Sequence, residues 1–329
     1  MSESADTAWR YLVHGVGVAV HAQDPAVMRA MELRLRGFAL EPNGGPELSL
    51  EFTADGAGCG GVLEPPSGGS RPVYDTPHGS LYYFPDSDTL FGELGGVRLR
   101  CEASRGVALI HGSALVGRRL YLATHPLATI SLMELLERRG LFSLHAACMA
   151  ERDGRGVVLA GASGAGKSTL ALALARAGMR FLSDDVVFLS RRPEAPIVTA
   201  LGFADALGVS EFAAERFSEL RPSLQEPPAD GFPKRLRRIE ELFGTHAART
   251  CTPQALIFPE VASDQRSQIA PLEPGSALLR LVPDVLLTEP AATQAHLQTI
   301  AALLDQVSCY VLRSGSDLER ATELVRGVL

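Results

Sequence analysis

Up to about residue 123 the chain alternates short apolar, β-branched runs with segments rich in turn residues. Residues 11–20, 48–52, 80–84, 97–101 and 119–123 read as strands, separated from one another by turn-rich segments. One helix is expected at 25–36, and the Gly-, Pro- and Ser-heavy stretch 56–72 as an exposed loop. A punctuated helix follows. Thr124 can cap it, Pro126 fits its first turn, Leu127, Ile130, Met133, Leu135 and Leu136 form an apolar face, and Gly140 follows Arg138 and Arg139 at its end. This pattern divides the chain into a mostly β N-terminal domain at 1–123, suited to substrate capture or oligomer contacts, a connecting helix at 124–140, and a second domain at 141–329.

The second domain opens as a hairpin. Residues 142–150 form an apolar strand, Asp153-Gly154 a turn, and 156–160 a short β-branched strand of the buried kind. Residues 169–176 are strong helix formers, and Gly178 stands where a helix C-cap is expected. Farther on, the Pro-rich, polar segment 220–232 is expected to be mobile, and 291–304 and 317–328 to be amphipathic helices.

Composition bounds what such a chain does. With 329 residues, 46% of them hydrophobic, each domain has enough apolar material for a core. The 38 acidic side chains outnumber the 31 Lys and Arg, for a net charge of −7, which argues against a nucleic-acid partner. Residues 1–6 are acidic and polar and lead into no apolar signal-peptide core, and no apolar run is long enough to span a bilayer. No membrane partner is expected, and the cytoplasm is the expected compartment. Cys59, Cys101, Cys148, Cys251 and Cys309 are widely spaced and form no C-x-x-C pair, so they read as buried reduced thiols.

The chemistry concentrates between the hairpin and the next helix. Gly161-Ala162-Ser163-Gly164-Ala165-Gly166-Lys167-Ser168 satisfies every position of the phosphate-cradling P-loop, and it follows a strand and opens a helix, as that motif requires. Its glycines let backbone N–H groups turn toward a phosphate, and the helix adds its positive N-terminal end. Gly161, Ser163, Gly164, Ala165, Gly166, Lys167, Ser168 and Thr169 are therefore expected to hold a nucleotide. Lys167 would reach its β- and γ-phosphates, and the Ser168 hydroxyl would ligate magnesium. A second signal comes after the helix, where Asp184 and Asp185 interrupt an apolar run at 179–189. A magnesium–nucleotide site needs a carboxylate near the metal, a kinase needs a group that orients or deprotonates its acceptor, and two carboxylates can divide those tasks.

Three elements in order, Ser143-Leu144-His145-Ala146-Ala147, residues 161–169, and Arg176-Ala177-Gly178 leading to Asp184-Asp185, resemble the HPr kinase/phosphorylase-like proteins. The resemblance covers about residues 141–190, with a weaker likeness of layout to about 285. It implies an α/β fold: a P-loop nucleotide domain of the HPr kinase/phosphoenolpyruvate carboxykinase type preceded by a smaller, mostly β N-terminal domain. It further implies ATP and Mg2+ as cofactors and transfer of the γ-phosphoryl group to a serine hydroxyl. Asp184 would act as general base, His145 would assist it, and Asp185 would help hold magnesium.

The departures sharpen this expectation. The chain lacks the Glu-x-Arg-Gly-x-Gly signature of HPr kinases beyond the Asp-Asp pair, which argues against HPr itself as the acceptor. The chain looks more like divergent HPr-kinase-related proteins, some of which modify ribosomally made peptides, for example at the C-terminal serine of lasso-peptide precursors. Kinases of the family are commonly oligomeric, so a homo-oligomer is a further expectation. The basic run 234–238 reads either as a solvated helix face or as the source of a cation, Lys234 or Arg235, for the transferring phosphoryl group. A regulatory ATPase, a noncatalytic nucleotide-sensing module and a small-molecule kinase stay open beside the peptide or protein kinase.

Overall fold

In the computed structural model, which describes residues 8–40, 47–55, 63–191, 196–203, 207–228, 231–244, 247–262 and 266–329, the alternation in the first part of the sequence becomes one face of a sheet. Its strands are Ala8–Val13 (β1), Val16–Ala22 (β2), Ala39–Leu40 (β3), Leu48–Ala54 (β4), Arg71–Thr76 (β5), Gly79–Phe84 (β6), Thr89–Leu94 (β7), Val97–Glu102 (β8) and Val107–Gly112 (β9). Among the described residues they lie in the order β3-β1-β2-β4-β9-β8-β7-β6-β5. The β2–β4 and β4–β9 pairs are parallel and the rest antiparallel. Every second side chain along β4 and β8 is buried, namely Leu48, Leu50 and Phe52, and Val97, Leu99 and Cys101. Each such large apolar side chain contributes about 1.5–3 kcal/mol by leaving water. Pro25–Leu35 (α1) packs on β2. Its start is fixed by Asp24, whose carboxylate accepts the Ala26 N–H at 2.8 Å, and by Pro25 in the first turn.

Two expectations change here. Residues 11–20 are two strands, because the chain reverses at His14 and Gly15, both at positive φ, and pairs Val13 with Val16. Residues 119–123 are helical. Arg118–Leu122 (α2) runs through a π-turn at Ala123–Leu127 into Ala128–Glu137 (α3). Leu120, Ala123 and Leu127 are all buried, a helical spacing that outweighs the Leu120/Leu122 alternation. The π-turn absorbs Pro126, which has no N–H to donate. Thr124 is not a cap; its Oγ1 donates to the Leu120 carbonyl at 2.8 Å. Nearly every residue of α3 is buried, and it packs against β4, β8 and β9.

By internal packing the chain forms two compact units, the first made of Met1–Arg139, Pro228–Lys234 and Leu286–Thr293, the second of Gly140–Pro227, Arg235–Val285 and Gln294–Leu329. The helix expected to connect the domains thus lies in the first unit, together with two segments from much later in the chain. One of these closes a ring of polar groups. Thr288 Oγ1 donates to Glu134, 2.7 and 2.9 Å from its two carboxylate oxygens, and Glu134 also pairs with Arg138 at 2.8 Å. Arg138 meets Asp88 at 2.8 Å, and Asp88 accepts the Tyr83 hydroxyl at 2.9 Å. Arg71 lies over the Tyr83 ring, 5.2 Å from its centroid, and donates to the Thr288 carbonyl. Burial pushes the Glu134 carboxyl up to about 7 and outweighs the nearby Arg138 charge and the Thr288 hydroxyl.

The second unit is a mixed sheet covered on both faces. In chain order it comprises Phe142–Ala150 (β10), Arg155–Ala160 (β11), Lys167–Arg176 (α4), Arg180–Ser183 (β12), Val186–Arg191 (β13), Val198–Gly202 (β14), Leu207–Val209 (β15), Glu211–Arg216 (α5), Arg235–Arg237 (β16), Ile239–Phe243 (α6), Thr250–Val261 (β17), Gln268–Pro271 (β18), Pro274–Leu281 (α7), Pro290–Gln306 (α8), Ser308–Ser314 (β19) and Leu318–Arg326 (α9). The first residues of α8 belong to the first unit. Strand β10 turns at Asp153-Gly154 into β11, pairing Ala146 with Ala160, and its earlier half pairs with β13. On its other side β11 runs parallel to β17. Ala147, Met149, Val157 and Leu159 pack against α4 and α9. Ala146, Cys148, Val158, Ala160, Leu256 and Phe258 pack against α7 and α8. Because both faces are covered, β11 reads as an unbroken apolar run.

The segment expected to be mobile contains 3-10 turns at Ser218–Gln225 with Leu220 and Ser223 buried, while residues 229–230 lie outside the described residues. So do Cys59, residues 1–6, and residues 56–62 of the expected loop. The other four cysteines are buried and reduced. Among the described residues no helix is long and apolar enough to cross a membrane.

Candidate functional site

Residues 161–166 leave the carboxyl end of β11 and enter α4 through a turn closed by Ala165 N–H donating to the Ala162 carbonyl at 3.1 Å. Gly161, Gly164 and Gly166 have φ of 130°, 83° and 99°, a left-handed region costly for any residue with a Cβ. The sequence therefore supplies glycine at the three places where this backbone needs it. Gly166 is the N-cap of α4 and offers no side chain to the first helical turn, whose N–H groups have no intrahelical acceptors. The helix is held from beneath by Leu170 and Leu174. Lys167 is 6% exposed, and its ammonium donates to the Gly161 carbonyl and to that of Ala162, the latter at 3.2 Å. Ser163, Gly164 and Ser168 are exposed, and Ala165 and Thr169 half-buried. At the far end of α4, Gly178 takes a positive φ and donates to the Ala175 carbonyl while Met179 donates to that of Leu174, the glycine stop expected from the sequence.

His145 sits one residue before Ala146, which pairs with Ala160. It therefore stands level with the point where the chain enters the loop. Asp184 and Asp185 join β12 to β13 on the other side of β10, and the Asp185 carbonyl accepts the Ala146 N–H at 3.1 Å. The aspartates are half-buried, next to the fully buried Ser183. His145 Nδ1 lies 3.2 Å from Asp185 Oδ1. The resemblance implied that His145 assists Asp184; the described contact is with the neighbouring Asp185. Among the described residues no group of three or more His, Cys, Asp or Glu could hold a metal.

The opposite flank of the loop is built by residues the sequence reading passed over. Strand β17 lies beside β11 with Ile257 level with Leu159, and it continues through Phe258, Pro259, Glu260 and Val261 alongside the loop. A Cβ built on Gly161 would lie 3.9 Å from Phe258 Cδ1, and one on Gly166 would lie 3.4 Å from Val261 Cγ2. Glu260 accepts from Arg280 Nη1 at 2.8 Å, and the Arg280 guanidinium carbon stands 5.6 Å from the centroid of the Phe258 ring. The signal that could have revealed this flank is the run Ala255-Leu256-Ile257-Phe258-Pro259-Glu260, a buried strand that ends in a carboxylate.

The basic run at 234–238 is not a helix face. Residues 235–237 form β16, paired with β15. Arg235 Nε donates to the Glu226 carbonyl at 2.7 Å, and Arg237 pairs with the Glu226 carboxylate at 2.6 Å. A depression of about 600 Å³ is lined by residues including Glu151, Arg152, Arg155, Gly178 and Arg326. It lies at the turn end of the β10–β11 hairpin, away from the loop, and its Arg155 and Arg326 are paired with Asp153 and Glu151.

No family model and no curated protein matches the chain. Among solved structures it is similar to an Hpr(Ser) kinase/phosphatase from Coxiella burnetii, at 13% identity over 56% of this chain and 88% of that one, with a TM-score of 0.33. A likeness that slight carries no argument, so the reading of function rests on the chain's own residues.

Proposed function

We propose that the second unit binds ATP at residues 161–169 and transfers its γ-phosphoryl group to a serine hydroxyl of a peptide or protein. The observation that carries this reading is the meeting, at one end of β10 and β11, of the glycine-turned loop with His145, Asp184 and Asp185. Asp184 accepts the hydroxyl proton as the serine oxygen attacks the γ-phosphorus and the bond to the bridging oxygen of the departing ADP breaks. Lys167 offers its ammonium to the β- and γ-phosphates in place of the loop carbonyls, and loop N–H groups hold the phosphate oxygens.

The Ser168 hydroxyl and the Asp185 carboxylate are hard oxygen donors that would hold a magnesium ion, which would spread the negative charge of the phosphates. Such an ion commonly takes only one or two protein carboxylates and completes its shell with phosphate oxygens and water. His145, in contact with Asp185, fixes the orientation of that carboxylate. The same reading assigns the unit to the HPr kinase/phosphoenolpyruvate carboxykinase type of nucleotide domain, and assigns the first unit to acceptor capture or contacts between copies.

The test is to incubate the protein with magnesium and γ-labelled ATP, with and without extract of its source cells, using Asp184→Asn as control. Label on a peptide or protein only with the unaltered chain supports the kinase. Phosphate release without a labelled acceptor would replace it with a regulatory ATPase, a labelled low-mass product with a small-molecule kinase, and binding without release with a nucleotide-sensing module.

A further inference from the structure

We infer that Arg280 is the cation that engages the terminal phosphate of the nucleotide, with Glu260 as its positioning residue. This deepens the ATP reading above and rests on it. The argument begins with strand geometry. Phe258 and Glu260 are two apart on β17, so their side chains share a face, and Arg280 from α7 touches both. Phe258 abuts Gly161 and Val261 abuts Gly166, so the residues on either side of Glu260 rest against the first and last glycines of the loop. The guanidinium is thereby held beside the entrance of the loop, where Lys167 donates to the Gly161 carbonyl.

The support beneath Arg280 is firm. Ala277 and Leu281 of α7 are fully buried in the core that also contains Phe258. The charged group itself is open, with 42% of the Arg280 side chain and 47% of the Glu260 side chain exposed. As a stabilising surface pair it is worth little. As a guanidinium already aimed and stacked, it can bind a phosphate at a small ordering cost. Charge gives the reason it is needed. Asp184, Asp185 and Glu260 surround a loop whose own cation is Lys167, and a nucleoside triphosphate adds several negative charges to that side. A second cation at the entrance offsets them where charge develops during transfer. Of the two candidates in the basic run, Arg235 donates to the Glu226 carbonyl and Lys234 belongs to the first unit.

The test is calorimetric titration of the full chain with Mg·ATP and Mg·ADP, comparing the unaltered protein with Arg280→Ala, Arg280→Lys, Glu260→Gln and Lys167→Ala. The expected result is that Arg280→Ala weakens Mg·ATP about ten- to a hundredfold, the span of a charge-assisted hydrogen bond, while Mg·ADP changes less than about threefold. Arg280→Lys should recover part of the loss, because it keeps the charge and loses the planar fork. Glu260→Gln should weaken Mg·ATP by less than Arg280→Ala does and leave Mg·ADP unchanged, since it loosens the guanidinium without removing it. Equal weakening of ATP and ADP by Arg280→Ala, or none, overturns the assignment and leaves the phosphate loop standing. If instead Lys167→Ala binds ATP as well as the unaltered protein does, the ATP reading itself falls and takes this inference with it. Should Arg280→Ala fail to fold, Arg280→Lys decides by the same ATP-to-ADP ratio.

Discussion

His145 Nδ1 and Asp185 Oδ1 face each other at 3.2 Å across neighbouring strand ends, with 37% and 40% of their side chains open to solvent. A second tie, the Ala146 N–H to the Asp185 carbonyl, fixes the backbone of the same two elements. The imidazole can therefore orient Asp185, and Asp184 is the carboxylate assigned to the acceptor. On this arrangement Asp184→Asn should remove phosphoryl transfer almost entirely, by about 10²- to 10⁴-fold, and leave nucleotide affinity near its original value. His145→Asn should cost less and should raise the magnesium concentration needed for half-maximal rate. Label transfer from γ-labelled ATP, followed across a magnesium titration, measures both; an unchanged magnesium requirement would remove His145 from this role.

Glu134 gives a prediction about pH. Its carboxyl, raised by burial to about 7 from a usual value near 4.3, binds its proton more tightly folded than unfolded. The stability this contributes is fully present below the unfolded value and is lost as pH rises through the folded one. The fall between pH 4 and 7 should be of order 3 kcal/mol. In Glu134→Gln the slope over that window should flatten. Urea melts at half-unit pH steps on both proteins measure it, and parallel pH profiles would refute the assignment.

Thr288 holds the same carboxylate from 154 residues away. Thr288→Val keeps the shape and removes the hydroxyl, leaving a buried acceptor short of a donor, at a cost of about 1–3 kcal/mol. The loss should grow as pH rises, since the charged carboxylate needs the donor more. Denaturant midpoints at pH 5 and pH 8 test this, and an equal loss at both would mean that Glu134 stays uncharged.

Cys148 and Cys251 approach to 3.5 Å between sulfurs, and the hydrogen bond between them together with burial pushes the Cys148 thiol well above its usual range. In a Cys59→Ser background the folded protein should react with a thiol reagent at pH 8 far more slowly than the unfolded chain does, because the thiolate is the reactive form. Spectrophotometric labelling follows it, and a fast phase in the folded state would contradict the packing at these two positions.

Gly156 sits against the same sulfur. A Cβ there would fall 2.2 Å from Cys251 Sγ and 3.0 Å from the Met149 carbonyl, so Gly156→Ala should destabilise the second unit by about 1–3 kcal/mol. A thermal melt that does not move would show that β17 can shift away.

What the sequence made legible was local. Residues 161–168 identify themselves because a strand, three glycines, Lys and a helix follow one another without a gap, and the β10–β11 hairpin is written in Asp153-Gly154 and two apolar runs. The Asp184-Asp185 break was readable for the same reason. Residues 119–123 misled because Leu120 and Leu122 imitate a strand, while the helical partners Ala123 and Leu127 straddle Pro126, which reads as a boundary. Glu260 and Arg280 were missed because their meaning depends on a parallel pairing between Leu159 and Ile257, almost a hundred residues apart, which leaves no periodic trace in either segment.

The docking of Leu286–Thr293 into the first unit also sets an order of events during synthesis. At about 5–20 residues per second, the ribosome needs roughly 8–30 s after making Glu134 before it makes Thr288. Throughout that interval the nascent sheet must wait with its buried carboxylate held by Arg138 alone and without the Thr288 hydroxyl. The half of the molecule begun first is thus completed only when most of the second has been made.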